Sequence, residues 1–246
     1  MKRPPAPRRN RASQRGALPF VFINMAMSAD GKIATANRAV SSFGSARDRR
    51  HLLALRARAD AVMAGARTVD SNPVNLGPGP ARYRRLRRRR GLSEYNLRII
   101  VSRTASLNPE ARIFKHRFSP IIILTTRQAP ATRIARLRRL AHLKVCGDRE
   151  IDFARALRWL RRRWKVRRLL CEGGGELNDA LFRAGLVDEV HLTVCPLIFG
   201  GRTAPTIADG AGASHLSEAS RWTVQASRGY DGERFFRFVA ARQPGR

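Results

Sequence analysis

Short apolar runs of strand length alternate along this chain with longer segments that have helical periodicity. The first run, PFVFINMAMS (residues 19–28), ends at the turn sequence Ala-Asp-Gly (residues 29–31). In residues 45–58, leucine and alanine recur at helical spacing between charged residues, and Ser45 is a suitable N-cap. Buried strands separated by amphipathic helices form sheets that are covered by helices. This alternation therefore limits the fold more than any other feature.

The same alternation continues to the C-terminal region. Further strands are predicted for residues 61–64, Leu97–Val101, 120–124, 169–171 and Glu189–Cys195, and further helices for residues 132–140, Phe153–Trp164 and 177–184. Two alternating segments, residues 222–227 and 233–239, predict a hairpin around Gly229 and Gly232. The predicted fold class is α/β: a single-domain, three-layer α/β/α arrangement with a mixed, mostly parallel sheet and an antiparallel C-terminal hairpin.

The composition of three segments sets the expected domain bounds. Residues 1–17 are basic and proline-rich and lack the apolar stretch of a secretory signal, so they predict a disordered tail. Residues 18–242 are the predicted domain. Within it, residues 72–95 are rich in arginine, proline and glycine and are predicted to form a loop. No apolar run approaches the roughly 18 residues of a membrane span, so no membrane location is expected.

The charge balance is strongly basic. The 246 residues include 49 Lys and Arg against 18 Asp and Glu, a formal net charge of +31. Such a balance is typical of proteins that bind polyanions. However, nearly all of the basic charge is arginine, and no zinc-finger or RNA-recognition signature accompanies it. Nucleic-acid binding and a surplus of arginine on solvated faces both remain open, and the second interpretation is favoured.

The three cysteines, Cys146, Cys171 and Cys195, are far apart in the sequence and form no C-x-x-C pair. This spacing is typical neither of a zinc site nor of a disulfide framework. No metal is therefore expected, and a reducing cytoplasm is the favoured location.

Three consecutive glycines follow a predicted strand in LLCEGGGELNDALFRAGLVDEVHL (residues 169–192), and a helical pattern begins directly after them. A strand, a glycine turn and a helix together present unpaired N–H groups to which a phosphate can bind. Glu176 and Asp179 would repel that phosphate unless they point away. The segment is not G-x-G-x-x-G, so a tight structural turn remains an alternative.

Four sequence blocks, in order, resemble the pyrimidine reductases of riboflavin biosynthesis, which have a dihydrofolate-reductase-like fold. The blocks are NMAMSADGKIAT (residues 24–35), LRARADAVMAGARTV (55–69), CEGGGELNDALFRAGLVDEV (171–190) and PLIFGGRTAPTIADG (196–210). The H-x-E and P-C-x-x-C signature of the deaminase domain that precedes some members is missing from this sequence. The resemblance therefore implies a stand-alone reductase.

The resemblance also implies an activity. A homodimeric, cytoplasmic enzyme would use NADPH to reduce a ribosylamino-pyrimidine 5′-phosphate to the ribitylamino form. A reductase of the same fold that acts on another pyrimidine or on a pterin is one alternative. An arginine-rich accessory protein that binds RNA is an alternative of another class, because a fold does not fix a function.

The residues that match the family's cofactor side lie after three predicted strands. The resemblance implies that the glycine turn cradles the pyrophosphate, that a threonine lies beside the nicotinamide, and that a serine–arginine pair meets the adenosine 2′-phosphate. An arginine–phosphate pair would explain a preference for NADPH. The implied cofactor-binding residues are Thr68, Ser102, Arg103, Gly173, Gly174, Gly175, Glu176 and Leu177.

The residues that match the family's substrate side are mostly polar. The implied substrate-binding residues are Asn24, Ser28, Arg56, Asp70, Asn72 and Asn75, and the implied catalytic residues are Glu172 and Asp30. Glu172 is the candidate for handling a proton or for holding the ribose hydroxyls. Either Asp70 or Asn72 replaces the family's aspartate, since this segment is one residue shorter.

The arginine expected to hold the substrate phosphate is missing after this segment. The hypothesis is that Arg82, Arg84 and Arg85 of the predicted loop hold that phosphate instead. The alternatives are a solvated insertion and a substrate that lacks the phosphate.

Overall fold

The computed structural model describes residues 17–38, 43–71 and 74–241. The predicted basic tail, apart from Ala17, and the candidate Asn72 lie outside the described residues. The elements are β1 (Phe20–Ser28), α1 (Ala46–Arg56), β2 (Ala61–Gly65), α2 (Ala66–Ser71), α3 (Ala81–Arg89), β3 (Leu97–Val101), α4 (Arg112–Lys115), β4 (Ile121–Thr125), α5 (Ala131–Arg138), β5 (His142–Val145), α6 (Phe153–Trp164), β6 (Arg168–Cys171), α7 (Gly175–Arg183), β7 (Glu189–Cys195), β8 (Trp222–Tyr230) and β9 (Glu233–Ala240), with a 3-10 turn at Leu216–Glu218.

The strands form one nine-stranded sheet in the order β5-β4-β3-β2-β6-β1-β7-β9-β8. Strands β1 to β7 pair in parallel, whereas β9 is antiparallel to both β7 and β8. The predicted mixed, mostly parallel sheet with an antiparallel C-terminal hairpin is confirmed.

Alternation along the strands sends side chains to two apolar cores, one on each face of the sheet. In β1, Val21 and Ile23 pack with Leu157 of α6 and Leu181 of α7. Phe22 points to the other face, where it packs with Leu55 of α1. Because successive side chains of a strand point to opposite faces, these two cores confirm the three-layer arrangement.

Local capping sets where the two principal helices begin. Ser45 Oγ accepts from the backbone N–H groups of Arg47 and Asp48 at the start of α1. Asp152 accepts from the N–H of Arg155 at the start of α6. Both side chains satisfy amide groups that would otherwise lack acceptors at a helix start.

The prediction of a loop over residues 72–95 is wrong for its central part, because residues Ala81–Arg89 form helix α3. The inward side of this helix carries Tyr83 and Arg87 rather than an apolar stripe. Arg87 is 1% exposed and donates to the carbonyl groups of Arg56 and Ala59, at the end of α1. Hydrophobic periodicity does not reveal this arginine-rich helix, because its buried Arg87 makes hydrogen bonds instead of apolar contacts.

The chain reverses its winding direction between two neighbouring strands. After β2, the chain continues through α2 towards β3, on one side. After β6, the chain continues through α7 towards β7, on the other side. Connections that diverge from adjacent parallel strands leave a crevice at the carboxyl ends of those strands. The crevice therefore lies between the end of β2 and the end of β6.

Candidate active site

The floor of this crevice is the backbone that follows β6. The amide of Glu172 donates to Met63 O at 2.8 Å, and the amide of Gly65 donates to Gly173 O at 2.8 Å. Gly173 has a φ of +76°, and a Cβ at this position would lie 2.7 Å from Met25 Sδ. Only glycine fits there without a shift of the neighbouring side chain. The peptide bond between Gly173 and Gly174 is cis.

Helix α7 begins at the crevice with no side chain to cap it. Gly174 is the N-cap residue and offers no capping group. The amides of the first turn lack acceptors within the helix, so they are available to an anion. A Cβ on Gly174 would meet only Thr68 Oγ1, at 3.7 Å. The space in front of Gly174 is therefore open to a ligand, with Thr68 of α2 on its opposite side.

The two carboxylates of α7 do not oppose an anion at this helix start. Glu176 forms an ion pair with Arg67 of α2, which spans the two helices that flank the crevice. Asp179 is buried and pairs with Arg183 at 2.7 Å. A Cβ on Gly210 would collide with the Asp179 carboxylate, so Asp179 points to the Gly210 loop. Each acidic charge is matched by an arginine.

A buried ion pair lies on the α1 side of the crevice. Arg56 Nε and Nη2 donate to the two carboxylate oxygens of Glu172, each at 2.6 Å. Arg56 Nη1 donates to Gly77 O at 2.8 Å, and Asn75 Oδ1 accepts from the amide of Gly77 at 2.9 Å. The predicted residues Arg56, Asn75 and Glu172 therefore form one connected network. Both Glu172 oxygens accept from Arg56, which suits Glu172 to hold polar groups in fixed positions.

Asn24 adds a buried acceptor beside this network. Asn24 follows Ile23, which is in register with Cys171, so it lies next to Glu172 on the neighbouring strand. Its side chain points to the α1 face, as that of Phe22 does. Asn24 is 6% exposed, and its Oδ1 has no hydrogen-bond partner among the described residues. A buried polar atom without a partner is uncommon and fits a group that binds a ligand.

The end of β1 is tied to the loop after β7 by Asp30. Asp30 accepts from Ser28 Oγ at 2.5 Å, from the amide of Phe199 at 3.1 Å and from the amide of Gly200 at 2.7 Å. The Ser28 hydroxyl is the main cause that lowers the pKa of Asp30 to about 2. An ionised carboxylate with these bonds positions the two loops, so Asp30 is better suited to that task than to proton transfer at neutral pH.

The other predicted residues lie at the edges of the crevice or outside it. Asp70 accepts from the amide of Asn108 at 3.1 Å, and burial raises its pKa. Ser102 is buried in the turn after β3, and the exposed Arg103 next to it pairs with Glu150 at 2.7 Å. The Leu177 side chain belongs to the apolar core, so only its backbone can face a cofactor.

The arginines hypothesised to hold a substrate phosphate are separated from the crevice. Helix α1 lies between α3 and the sheet, because Leu55 of α1 packs in the core while Tyr83 of α3 donates to Arg50 O. Arg84 bonds to Tyr95 and pairs with Glu94. The hypothesis that Arg82, Arg84 and Arg85 contact the substrate gains no support from these positions, and Arg84 is already engaged by Tyr95 and Glu94.

The sequence interpretation missed one arginine and one pair of histidines near the site. Arg67 was not singled out, although it stands directly before Thr68. His51 of α1 and His191 of β7 approach each other at 3.3 Å, and His191 lies opposite Asn24 in the register of the two strands. Burial, followed by the neighbouring His191 and Arg58, lowers the pKa of His51 to about 4. No sequence pattern relates these two histidines, because they are 140 positions apart.

Within residues 17–38, 43–71 and 74–241, no three His, Cys, Asp or Glu side chains come together as possible metal ligands. In the same part of the chain, no helix is both long and apolar enough to cross a membrane.

A helix that begins at bare glycine backbone, where a parallel sheet reverses its winding, is an arrangement with which many α/β proteins bind nucleotides. Residues 19–230 match the RibD C-terminal domain, so the chain belongs to the RibD C-terminal domain family. Three relatives are named as pyrimidinone 5′-phosphate reductases, and this protein is an oxidoreductase.

Two archaeal relatives are similar over most of their length. A 2,5-diamino-6-ribosylamino-4(3H)-pyrimidinone 5′-phosphate reductase from Methanothermobacter thermautotrophicus is 34% identical over 85% of this chain and 92% of the relative. The Archaeoglobus fulgidus protein of the same name is 33% identical over 78% of this chain and 87% of the relative.

Solved structures of low sequence identity have the same fold. A pyrimidine reductase-like protein from Corynebacterium diphtheriae superposes with a TM-score of 0.75 at 20% identity, over 94% of this chain and 95% of that chain. A deaminase/reductase from Thermotoga maritima superposes with a TM-score of 0.72 at 20% identity, over 92% of this chain and 58% of that chain. This chain thus spans little more than half of that longer protein.

The Asp30 bonds predict a specific dependence of stability on pH. Because the pKa of Asp30 is lowered, its ionised form stabilises the fold above the ordinary carboxyl pKa of about 4. That contribution is lost as the pH falls through about 2. We expect Asp30→Asn to lower the urea midpoint at pH 7, and the difference from wild type to shrink between pH 4 and pH 2.

Asp231→Asn is the matched control, because its exposed carboxylate is 4.0 Å from the nearest arginine nitrogen. This variant should follow the wild-type midpoint throughout. A difference for Asp30→Asn that stays constant from pH 7 to pH 2 would contradict the assigned role of Asp30.

Proposed function

We propose that this protein uses NADPH to reduce the ribosyl group of 2,5-diamino-6-ribosylamino-4(3H)-pyrimidinone 5′-phosphate to a ribityl chain. The observation that carries the proposal is the crevice between β2 and β6, where α7 begins at bare glycine backbone. Two relatives that match most of this chain are named for reduction of this pyrimidinone phosphate.

The residues around the crevice fit a nicotinamide dinucleotide phosphate. The first-turn amides of α7 and the missing side chain of Gly174 suit a diphosphate, which needs N–H donors and close approach to the backbone. Arg103 lies after β3, two strands from β6, and its exposed guanidinium suits a 2′-phosphate. The bound cofactor supplies the hydride, whereas the protein supplies binding, orientation and electrostatics.

The substrate side of the proposal rests on the network of Arg56, Glu172 and Asn24. The Glu172 carboxylate is held by Arg56 in one orientation, so its oxygens are positioned to accept from ribose hydroxyls without reorganisation. The unpartnered Asn24 Oδ1 suits a donor N–H or O–H of the substrate. Together they would hold the ribosyl carbon in front of the nicotinamide at the end of β6.

Within this proposal, Asp30 and Ser28 act by positioning. They hold the end of β1 against the loop after β7, so that the crevice keeps its width. Neither the reduction of another pyrimidine or pterin nor a purely RNA-binding role is favoured by the family to which the chain belongs.

We also propose a cytoplasmic homodimer. Strand β8 is an edge of the sheet, and Val224 in it is 53% exposed. An uncovered edge strand leaves backbone N–H and C=O groups unpaired, which favours association with another chain. Cys146, Cys171 and Cys195 are all free and buried, which fits a reducing compartment. Sedimentation equilibrium should give twice the 27.6 kDa chain mass, and a mass of 27.6 kDa would refute the dimer.

The activity is tested by following absorbance at 340 nm with purified protein, NADPH and the candidate pyrimidines. We expect NADPH oxidation with the pyrimidinone 5′-phosphate. The deaminated uracil analogue and dihydrofolate serve as competing substrates in parallel reactions. If dihydrofolate alone supports oxidation, or if none of the three compounds does, the proposed function is wrong.

Arg103 provides a test of the preference for NADPH. Arg103→Ala should raise the KM for NADPH about tenfold or more, since one charge-assisted contact to phosphate is lost. The KM for NADH should change little, because NADH lacks the 2′-phosphate.

Arg162→Ala is the control for Arg103→Ala, since Arg162 is an exposed arginine near the end of α6. It should leave both KM values unchanged. An equal rise for both cofactors in Arg103→Ala would exclude 2′-phosphate recognition by Arg103.

A further inference from the structure

Helix α3 divides its arginines between an internal face and an external face. On the internal side, Arg84 pairs with Glu94 and Arg87 donates to carbonyl groups of the α1–β2 segment, whereas Arg88 is exposed and pairs with Glu94 from outside. On the external side, Arg82, Arg85 and Arg89 recur at helical spacing and are exposed. The external arginines therefore have no structural task comparable to that of Arg87.

These external arginines line a cleft with the outer surface of α1. The α1–α3 cleft has a volume of about 490 Å³ and is lined by Arg50, Arg82, Tyr83, Arg85, Leu86 and Arg89. Arg50 comes from α1, so guanidinium groups approach the cleft from both helices. Tyr83 fixes the two helices together, because its hydroxyl donates to Arg50 O.

No carboxylate offsets this positive charge. The cleft lining contains no Asp or Glu, and among the described residues no carboxylate pairs with Arg50, Arg85 or Arg89. Like charges held close together repel, and the repulsion falls when an anion binds between them. Guanidinium forks also match phosphate oxygens in pairs. The walls of the cleft are mostly apolar, but the guanidinium groups of Arg50, Arg85 and Arg89 around it, which no described carboxylate pairs with, point to a phosphate-rich anion.

The shape of the cleft favours a compact anion over a nucleic-acid strand. A volume of a few hundred Å³ is typical of small-molecule sites. Proteins that bind single strands present aromatic rings on which bases stack. Here the only aromatic residue of the cleft, Tyr83, is 8% exposed, and the Arg82 guanidinium covers its ring at 4.8 Å. The cleft thus has charge for phosphates and no stacking surface for bases.

We propose that the α1–α3 cleft is a second anion site, which binds a compact polyphosphate of inorganic or nucleotide origin. It is distinct from the crevice between β2 and β6, because α1 lies between α3 and the sheet. The site does not depend on the proposed reductase activity.

The test is calorimetric titration of the full chain with sodium tripolyphosphate in 150 mM NaCl. A saturating concentration of NADPH is present, so that the crevice is occupied. We expect one tripolyphosphate per chain for wild type. The double variant Arg85→Ala/Arg89→Ala should bind about tenfold more weakly or worse, because two charge-assisted contacts are lost. Its circular dichroism and NADPH oxidation should match those of wild type.

The control variant Arg138→Ala/Arg139→Ala loses the same charge from the exposed end of α5. It should bind tripolyphosphate as wild type does. A parallel titration with ATP identifies the source: tighter binding than tripolyphosphate indicates a nucleotide, and equal binding indicates recognition of the phosphates alone.

Three results would overturn the proposal. Wild type that does not bind tripolyphosphate removes the site. Equal weakening in both double variants means that the charge acts diffusely over the surface. A 20-nucleotide single-stranded RNA that displaces tripolyphosphate, and loses its own binding in Arg85→Ala/Arg89→Ala, assigns the surface to nucleic acid instead.

Discussion

The divergence of the chain after β2 and β6 is the constraint on which the rest of the structure depends. Two adjacent parallel strands send their helices to opposite sides, so the space above their carboxyl ends stays open. Bare backbone then fills the floor, since Gly173 leaves no room for a side chain beside Met25. The proposed cofactor site, the Arg56–Glu172 pair and the buried Asn24 all lie around this opening.

Arginine performs three different tasks in this protein. Arg87 and Arg98 are each 1% exposed, and their guanidinium groups donate to backbone carbonyl groups in the interior. Burial lowers the pKa of each to about 10. Arg67 and Arg183 neutralise the carboxylates of α7. Others, such as Arg85 and Arg89, face solvent. The net charge therefore does not identify a single partner, because only part of it is free to attract one.

The sequence predicted those elements that contain an apolar run or an apolar helical stripe. Leu97–Val101, Phe153–Trp164 and Glu189–Cys195 have the predicted bounds, although the two strands also bury the polar residues Arg98, Glu189 and His191. Helix α3 was missed because Arg87 and Tyr83 replace the apolar stripe. Strand β5 was missed since it is a short, partly exposed edge. In the site, resemblance identified Arg56 and Glu172 as separate contacts, but only the structure shows them as one ion pair, since 116 positions separate them.

The most direct test of the account is the affinity of Gly174→Ala for NADPH, measured by calorimetry beside wild type. The new Cβ would meet only Thr68 Oγ1 at 3.7 Å and the backbone φ of −74° is ordinary, so the variant should fold normally. We expect wild type to bind one NADPH per chain and the variant to bind about tenfold more weakly, because the methyl group occupies the space of the diphosphate. A folded variant with wild-type affinity would contradict the account.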